Sequence, residues 1–557
     1  MASGITTVSI SGGTTQAAGY SYNTRGEQSQ ISDGGQDWSA GYNLLGQVTS
    51  TTDPDAGTTT RGYDGNGNLT STTDANGKTV SYAYDALNRK TGEYDGPAGS
   101  SPPIATRAYD NSNDAVSGMT DPVGQLTTQT SYDGNGNAYT LQQKGFNAFG
   151  ESAGQTWTIP PAQGALAGTY TMSQTYTSIA GLPLKTIYPA SPGGALPAET
   201  VTDGYTAGFN LPNTVGSSVA GSYDQGTSYN ALSRVAQTEV GTSTAGAFIS
   251  DTYDPHTANL TGSEAQGSGS SPATFDDTTY AYDPAGNITA QADERNGTQS
   301  ETQCYAYDTL GQLTQAWTAT DDCKATPSSG GGPAVGDGIP GSAYWTSWAF
   351  SALGQRTSQT QHPVSGGQDT VTSYAYGTSQ PGTLASASTT GPSGNTSASY
   401  GYDADGNTTS RDVPGGSQAL SWNDNGTLAA DTSPAGSASY VYDAGGSVLL
   451  QSDSATGQVT LYVFGEQLAL NTSAGTVTGT RLIPLPGGAQ AVRTGTGTGY
   501  AYEIASQQGT GVMTLTAAAA SPSWRQFTPT APPAAPHPPP GPTPTGSSAS
   551  QPTPLPA

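Results

Sequence analysis

Apolar and aromatic residues alternate with small polar ones in short runs along the chain, and each run ends at a break rich in Gly, Asn or Asp. The stretch GYDGNGNLTSTTDANGKTVSYAYD, residues 62–85, shows the pattern. Val80, Tyr82 and Tyr84 alternate with Ser81, Ala83 and Asp85, the two-residue period of a strand with one aromatic face. Leu69 to Thr73 is a Thr-rich extended run. Asp64 to Asn68 consists of residues that tolerate positive φ and predicts a tight turn. Asp74-Ala75-Asn76-Gly77 carries the Asn-Gly signature of a hairpin. Each such unit predicts one antiparallel hairpin, and the chain an all-β array of them.

The unit recurs. An aromatic residue, then Asp or Asn, two variable positions, Gly, a polar residue and an apolar one are found at Tyr63-Asp64-x-x-Gly67-Asn68, Tyr282-Asp283-x-x-Gly286, Tyr307-Asp308-x-x-Gly311 and Tyr442-Asp443-x-x-Gly446. Variants begin at Tyr42, Tyr84-Asp85, Tyr109, Tyr132, Tyr229, Tyr253, Phe350, Tyr402-Asp403-x-x-Gly406 and Trp422. Tyr42, Tyr63 and Tyr84 are 21 residues apart and Tyr402, Trp422 and Tyr442 are 20 apart, a period that marks a repeat architecture. Tyr-x-Tyr pairs end many runs, at 280/282, 305/307, 400/402 and 440/442 among others. They predict a ladder of packed tyrosine rings on one sheet face, and a stability close to a sum of nearest-neighbour terms.

Composition narrows the function. The 557 residues include 76 Gly, 38 Pro and 31 Tyr, with 33% hydrophobic and 10% charged residues. That content is thin for one buried core of this size. Forty-two acidic against 16 basic side chains leave a net charge of −26, which excludes a phosphate-reading basic footprint and attraction to anionic membrane surfaces. No apolar run is long enough to span a membrane, and residues 1–20 carry no basic and apolar leader pattern. Cys304 and Cys323 enclose a loop short enough for a disulfide, with two free thiols as the alternative.

The phrase YDxxGNLTxxxDxxGxxxxYxYDxxxR resembles the YD repeat of Rhs proteins, teneurins and the C component of insecticidal toxin complexes, over about residues 42–450. Leu461-Tyr462-Val463-Phe464-Gly465-Glu466-Gln467, Arg481-Leu482-Ile483-Pro484-Leu485 and Trp524-Arg525-Gln526-Phe527-Thr528-Pro529 are similar to the lead-in of the Rhs-associated core. The resemblance implies a large spiralling sheet, part or all of a hollow shell. Bacterial members of the family enclose a C-terminal toxin and teneurins act in adhesion, so the implied partners are a cargo polypeptide or cell-surface glycans, and the implied setting is extracellular or the cell surface. The family's autoproteolytic phrase RxYDPxxGRFxSxDP does not follow Pro529. Residues 530–557 instead form a Pro-rich stretch expected to be disordered or polyproline II, as a truncated or frameshifted gene would give. The expected organisation is a repeat array at 1–140, degenerate repeats with Pro/Ala-rich loops at 141–222, a second array leading into a truncated core at 223–529, and the tail. About a dozen hairpins are expected to build only part of a turn of the spiral, leaving edge strands open to self-association.

Three motifs suggest chemistry. Asp64-x-Asn66-x-Asn68 and Asp403-x-Asp405-x-Asn407 place oxygen ligands at alternate positions, but Leu69 and Thr408 stand where an EF-hand needs Gly, and Ala75 and Pro414 where it needs Glu. Gly77-Lys78-Thr79 ends like a phosphate loop, with Thr72 where the first Gly belongs. Gly150-Glu151-Ser152-Ala153-Gly154 has the form of a hydrolase elbow, yet a Pro-Pro pair follows where a helix should begin. His256, His362 and His537 lie in no recognisable catalytic context. The expectation is therefore a non-enzymatic wall segment of a toxin-enclosing shell, with no catalytic, metal or cofactor site. A surface adhesion or glycan-binding module and a remnant without its own function are the alternatives.

Overall fold

The computed structural model describes residues 3–9, 15–112, 116–242, 245–268, 273–328, 335–336, 338–364, 366–497, 499–517 and 522–525. The expected Pro-rich tail, Phe527 to Pro529, and residues 329–334 and 337 of the Gly/Pro-rich run 328–341, read as an insertion between repeats, lie outside them.

Among the described residues forty-two strands, β1 (Ser3–Ser9) to β42 (Pro522–Trp524), form one sheet. Each described strand pairs antiparallel with its neighbours in sequence, so the sheet is a single meander whose end strands have one partner each. The local cause is the turn. Between β6 (Gly57–Tyr63) and β7 (Leu69–Thr73) the Gly67 N–H donates to the Asp64 carbonyl and the Asp64 N–H to the Asn68 carbonyl. Gly67 has φ 90°, and the pairing register slips by one residue at Tyr63. This is a type I turn closed by a left-handed residue, which only Gly adopts without strain. The turn from β7 to β8 (Thr79–Tyr84) repeats it, with Gly77 N–H donating to the Asp74 carbonyl.

Because the meander reverses at every strand, the turns fall on two opposite rims. The Tyr-Asp turns occupy one, here the motif rim. The exception is Tyr132, which leads from β11 (Leu126–Tyr132) into β12 (Ala138–Gln143) on the other rim.

The sheet winds onto itself with a fixed pitch. Gly34, between β3 (Gln28–Asp33) and β4 (Gln36–Tyr42), lies under Leu353, between β26 (Trp345–Phe350) and β27 (Arg356–Gln361). Asp55, between β5 (Val48–Asp53) and β6, accepts from Gln380 Nε2 and the Gly382 amide, between β28 (Thr370–Tyr376) and β29 (Leu384–Thr390), at 2.8 and 2.6 Å. The Ala75 amide donates to Asp405 Oδ1 at 2.8 Å and Asn76 Nδ2 to Asp403 Oδ2 at 3.0 Å, from the β7–β8 turn to that between β30 (Thr396–Tyr402) and β31 (Thr408–Val413). The carboxyl of Asp95, at the end of β9 (Lys90–Asp95), lies beside that of Asp424, between β32 (Gly416–Trp422) and β33 (Leu428–Ser433), which with burial holds it above its ordinary range. The steps 3 to 26, 5 to 28, 7 to 30 and 9 to 32 are each 23 strands. One winding therefore takes 23 strands, about 16° of bend per strand, and the motif rim of the second winding seats on the opposite rim of the first. The chain completes more than one winding, which corrects the expectation of a partial turn.

From β35 (Val448–Asp453) onward the chain leaves this seam and packs on the face of the first winding. Leu449, Leu450, Leu461, Val463 and Leu468 bury against Tyr139, Trp157, Ile159, Leu166, Tyr170 and Leu196. Ile483, Ala491, Tyr502, Ile504, Met513 and Leu515 bury against Tyr188, Val201, Val215, Tyr223, Val240 and Ile249. These two cores resolve the thin composition, since apolar side chains concentrate where two layers face each other. They also correct the nearest-neighbour picture of stability, because residues far apart in sequence share them. The compositional boundaries at 140 and 222 fall inside β12 and β18 (Gly221–Tyr229) and are not breaks in the sheet. The Pro and Ala residues that suggested them lie in loops such as Pro161–Leu166 and Pro192–Gly194.

Candidate functional site

The repeat residues share one geometry at most motif turns; Tyr132 and Tyr253 depart from it, their hydroxyls meeting Thr106 and Asp251 instead. Tyr63 ends β6, and its hydroxyl donates to the carbonyl of Val48, the first residue of β5, at 2.8 Å. Tyr84 reaches Leu69, Tyr282 reaches Leu260, Tyr307 reaches Ile288, Tyr402 reaches Leu384 and Tyr442 reaches Leu428, all at 2.7–2.9 Å. Trp422 does the same with its indole N–H, to Thr408 at 2.9 Å. The aromatic residue thus latches the end of one strand to the start of the strand before it. No ring pair joins tyrosines of neighbouring repeats among the described residues, and the expected aromatic ladder is absent. Successive repeat tyrosines stand two strands apart, about 10 Å at the usual strand spacing, beyond the ~7 Å reach of a ring pair.

The aspartate caps the turn. Asp64 Oδ1 accepts the amides of Asn66 and Asn68 at 2.9 and 2.8 Å, while Asn68 Nδ2 donates to Oδ2. Asp85, Asp283, Asp308, Asp403 and Asp443 each accept the corresponding two amides at 2.8–3.0 Å. Gly286, Gly311, Gly406 and Gly446 carry φ between 75° and 89°. The Asn68 side chain and the turn amides hold the Asp64 carboxyl below its ordinary range, the Arg89 amide does so for Asp85, and Asn287 for Asp283. These residues recur along a rim and do not converge. Among the described residues no group of three or more His, Cys, Asp or Glu is arranged to hold a metal ion.

The second winding seats over a cleft of about 680 Å³ lined by Tyr82, Trp422, Asn76, Asn423 and Asp405 among others. Lys78 of the Gly-Lys-Thr phrase reaches Asp424 across it, at 3.2 Å.

One buried ion network was not foreseen in the sequence. Arg481 and Arg493 are fully buried. Arg481 pairs with Glu199 at 2.8 Å and with Glu466 at 2.7 Å, and Arg493 pairs with Glu199 at 3.1 Å. Tyr223 donates to Glu199 at 2.6 Å and accepts from Arg493 Nη2 at 2.7 Å. Burial pushes the Glu199 carboxyl up, but Ser217, Tyr223 and the two arginines outweigh it and hold it low; for Glu466, with one arginine, burial prevails. Two cations and two anions balance, so the network clasps residues 199 and 481 together without a free charge to offer a ligand. Its sequence signal was a pair of arginines inside otherwise apolar alternation.

Ser152 donates to Gln143 and accepts from the Gly154 amide, and no histidine among the described residues is hydrogen-bonded to it. His256 sits in the turn capped by Asp254. His362 does meet a serine and an aspartate: its Nε2 is 3.0 Å from Ser347 Oγ and its Nδ1 3.1 Å from Asp369 Oδ1, with Trp345 stacked on the ring at 3.7 Å. The order is that of an acyl-transfer triad, but the surroundings differ. Ser347 lies mid-strand, paired with Gln315 and Thr360, so its N–H belongs to the ladder and not to a developing oxyanion. Asp369 is 43% exposed. Cys304 and Cys323 form a disulfide.

Residues 42–75 and 63–101 match the family described as RHS Repeat. No curated protein matches the chain. The crystal structure of TcdB2-TccC3 superposes with a TM-score of 0.68 at 16% identity, covering 95% of this chain and 28% of that one. TcdB2-TccC3 without its hypervariable C-terminal region gives the same TM-score and identity, with 95% and 27% coverage. A mutant Tc holotoxin pore of Photorhabdus luminescens gives 0.68 and 16%, covering 94% and 26%. The chain spans about a quarter of the length of these chains.

Proposed function

We propose that this chain, an RHS-repeat protein with the fold of a Tc toxin shell, is a wall segment that closes a sheet around a toxin polypeptide and performs no chemistry itself. The observation that carries this reading is the 23-strand winding with its seam, because a sheet that seats rim on rim encloses a space. Twenty-three strands at about 4.8 Å each give a perimeter of about 110 Å and a bore of about 35 Å between backbones, before strand tilt widens it. A folded domain of ~100 residues, with a radius of gyration near 13 Å, is about as wide. An unfolded cargo chain fits better. The cargo would be delivered to competing cells, outside the producing cell, and the disulfide between the only two cysteines suits an oxidising setting.

Negative-stain electron microscopy of the purified chain, with limited proteolysis, tests the reading. A curved or hollow particle that loses only residues beyond about 525 is expected. Flat aggregates digested throughout would remove it.

A second reading, glycan binding, is favoured by the seam cleft, where Tyr82 and Trp422 stand among Asn and Asp side chains. Saccharide binding lost on Trp422→Ala would support it, and a blank glycan array would not.

A further inference from the structure

The motif rim carries a feature that the latch and cap do not need. In each turn one residue stands immediately before the left-handed position, at the outermost point. In the first winding this residue is Leu45, Leu87, Val123, Phe149, Phe209 and Leu232 in six turns, all 57–84% exposed. Asn66 occupies the same point in the β6–β7 turn, so nothing in the turn requires an apolar residue there. From Leu45 to Leu232 the row runs along 14 strands, about 65 Å. Soluble monomers rarely leave so many large apolar side chains aligned in water.

The structure contains one occupied example. Leu353, the equivalent residue in the β26–β27 turn of the second winding, is half-buried over Gly34 of the opposite rim. A Cβ on Gly34 would overlap its isobutyl group. An apolar tip resting in a glycine turn is therefore a contact that holds one winding on the next. The six tips of the first winding continue the same rim, with no described strand seated on them. The opposite rim of the second winding is also unpaired by a further winding among the described residues, and its turns carry left-handed glycines with open space beside them at Gly366 and Gly394.

The geometry points to a second copy of this chain as the occupant: the motif rim of one copy's first winding stacks on the opposite rim of another copy's second winding. The contact would repeat between molecules the seam each molecule makes within itself. This rests on the wall reading above and names a partner for it. The two surfaces differ, so the association is head-to-tail and open-ended, and copies add until the stack is capped. Strong net negative charge opposes contact over most of the surface. The tips themselves are uncharged, which is where two such chains can approach.

Sedimentation velocity on the full chain over a concentration series, with and without Leu45→Asn, Phe149→Asn and Phe209→Asn together, tests it. The substitutions copy the residue at Asn66 and lie in water, and unchanged circular dichroism and protease resistance serve as the folding control. The wild type is expected to grow in size with concentration, and the triple variant to associate about tenfold more weakly or less. A wild type that stays monomeric throughout would overturn the proposal. So would a triple variant that associates unchanged, which would place the contact on the edge strands. As an independent check, a Leu87→Cys chain mixed with a Gly415→Cys chain should cross-link to its counterpart with a short bis-maleimide in preference to itself, and equal self-cross-linking would overturn the head-to-tail arrangement. A curved particle that remains monomeric would end the stacking and leave the wall reading intact, while the wall reading falls on the micrographs alone.

Discussion

Asp224 offers a quantitative test of how the two layers meet. It lies on β18 between Val215 and Val240 on the neighbouring strands and is 1% exposed. Gly226 and Thr227 donate to it, yet burial dominates and lifts its carboxyl from 3.8 to about 6. A carboxyl raised in the folded state is neutral at no cost in acid. It opposes folding increasingly from pH ~4 to ~6, and above that by a constant amount. A shift of about 2 units corresponds to about 3 kcal/mol. Asp224→Asn keeps the shape and an acceptor for the Gly226 amide while removing the charge. The variant should match the wild type near pH 4 and exceed it by about 3 kcal/mol near pH 8. Unfolding entropy scales with chain length, so each kcal/mol is about 1 °C here, and the thermal midpoint should rise by about 3 °C at pH 8. Midpoints read by circular dichroism at both values decide. A difference that is the same at pH 4 and pH 8, or a variant less stable at pH 8, would refute the account of a buried charge.

Tyr63→Phe should cost about 1 kcal/mol by leaving the Val48 carbonyl without its donor, seen as faster hydrogen exchange in β5 and β6 with the rest of the sheet unchanged. Arg481→Met should cost about 3–5 kcal/mol, because Glu199 and Glu466 lose a partner in a dry site; cleavage of the 189–198 loop by a broad-specificity protease should rise accordingly. Cys304→Ser should cost the ~3 kcal/mol that closing a loop with a sequence separation of 19 provides, a fall of about 3 °C in the thermal midpoint, and reductant should lower it no further. Oxidised wild type and variant melting together would count against the disulfide's role.

The turn was readable because its determinants lie within six residues: Asp64 meets the amides of Asn66 and Asn68, and Gly67 supplies the left-handed step. The strands followed from alternation, as at Val80 to Tyr84. What the tyrosines do was not legible, since alternation fixes a face but not the two-strand gap between Tyr63 and Tyr84 that prevents their rings from touching. The winding was illegible for a different reason. Gly34 and Leu353, or Asn76 and Asp403, are more than 300 residues apart, and the bend that unites them is a small angle summed over 23 strands. The ion network shares this property, for Glu199 and Arg481 look like isolated charges until the second layer is laid on the first. Cys304 and Cys323 lay between the two cases, close enough to pair but with no local signal that the chain after Ala319 returns to β24 (Gln299–Tyr307).

The odd number of strands in a winding governs how the gene can change in length. Each repeat is two strands, so gaining or losing one keeps every turn on its proper rim. Between Tyr109 and Trp345, however, such a change alters the count in the loop that the seam closes, and every later tip meets the wrong neighbour: Asp405 would no longer face Asn76, nor Leu353 face Gly34. Ahead of Gly34 the same change leaves all of these encounters in place. Copy number is therefore free at that end of the array and fixed in its middle, and natural variants that differ by whole repeats should differ there.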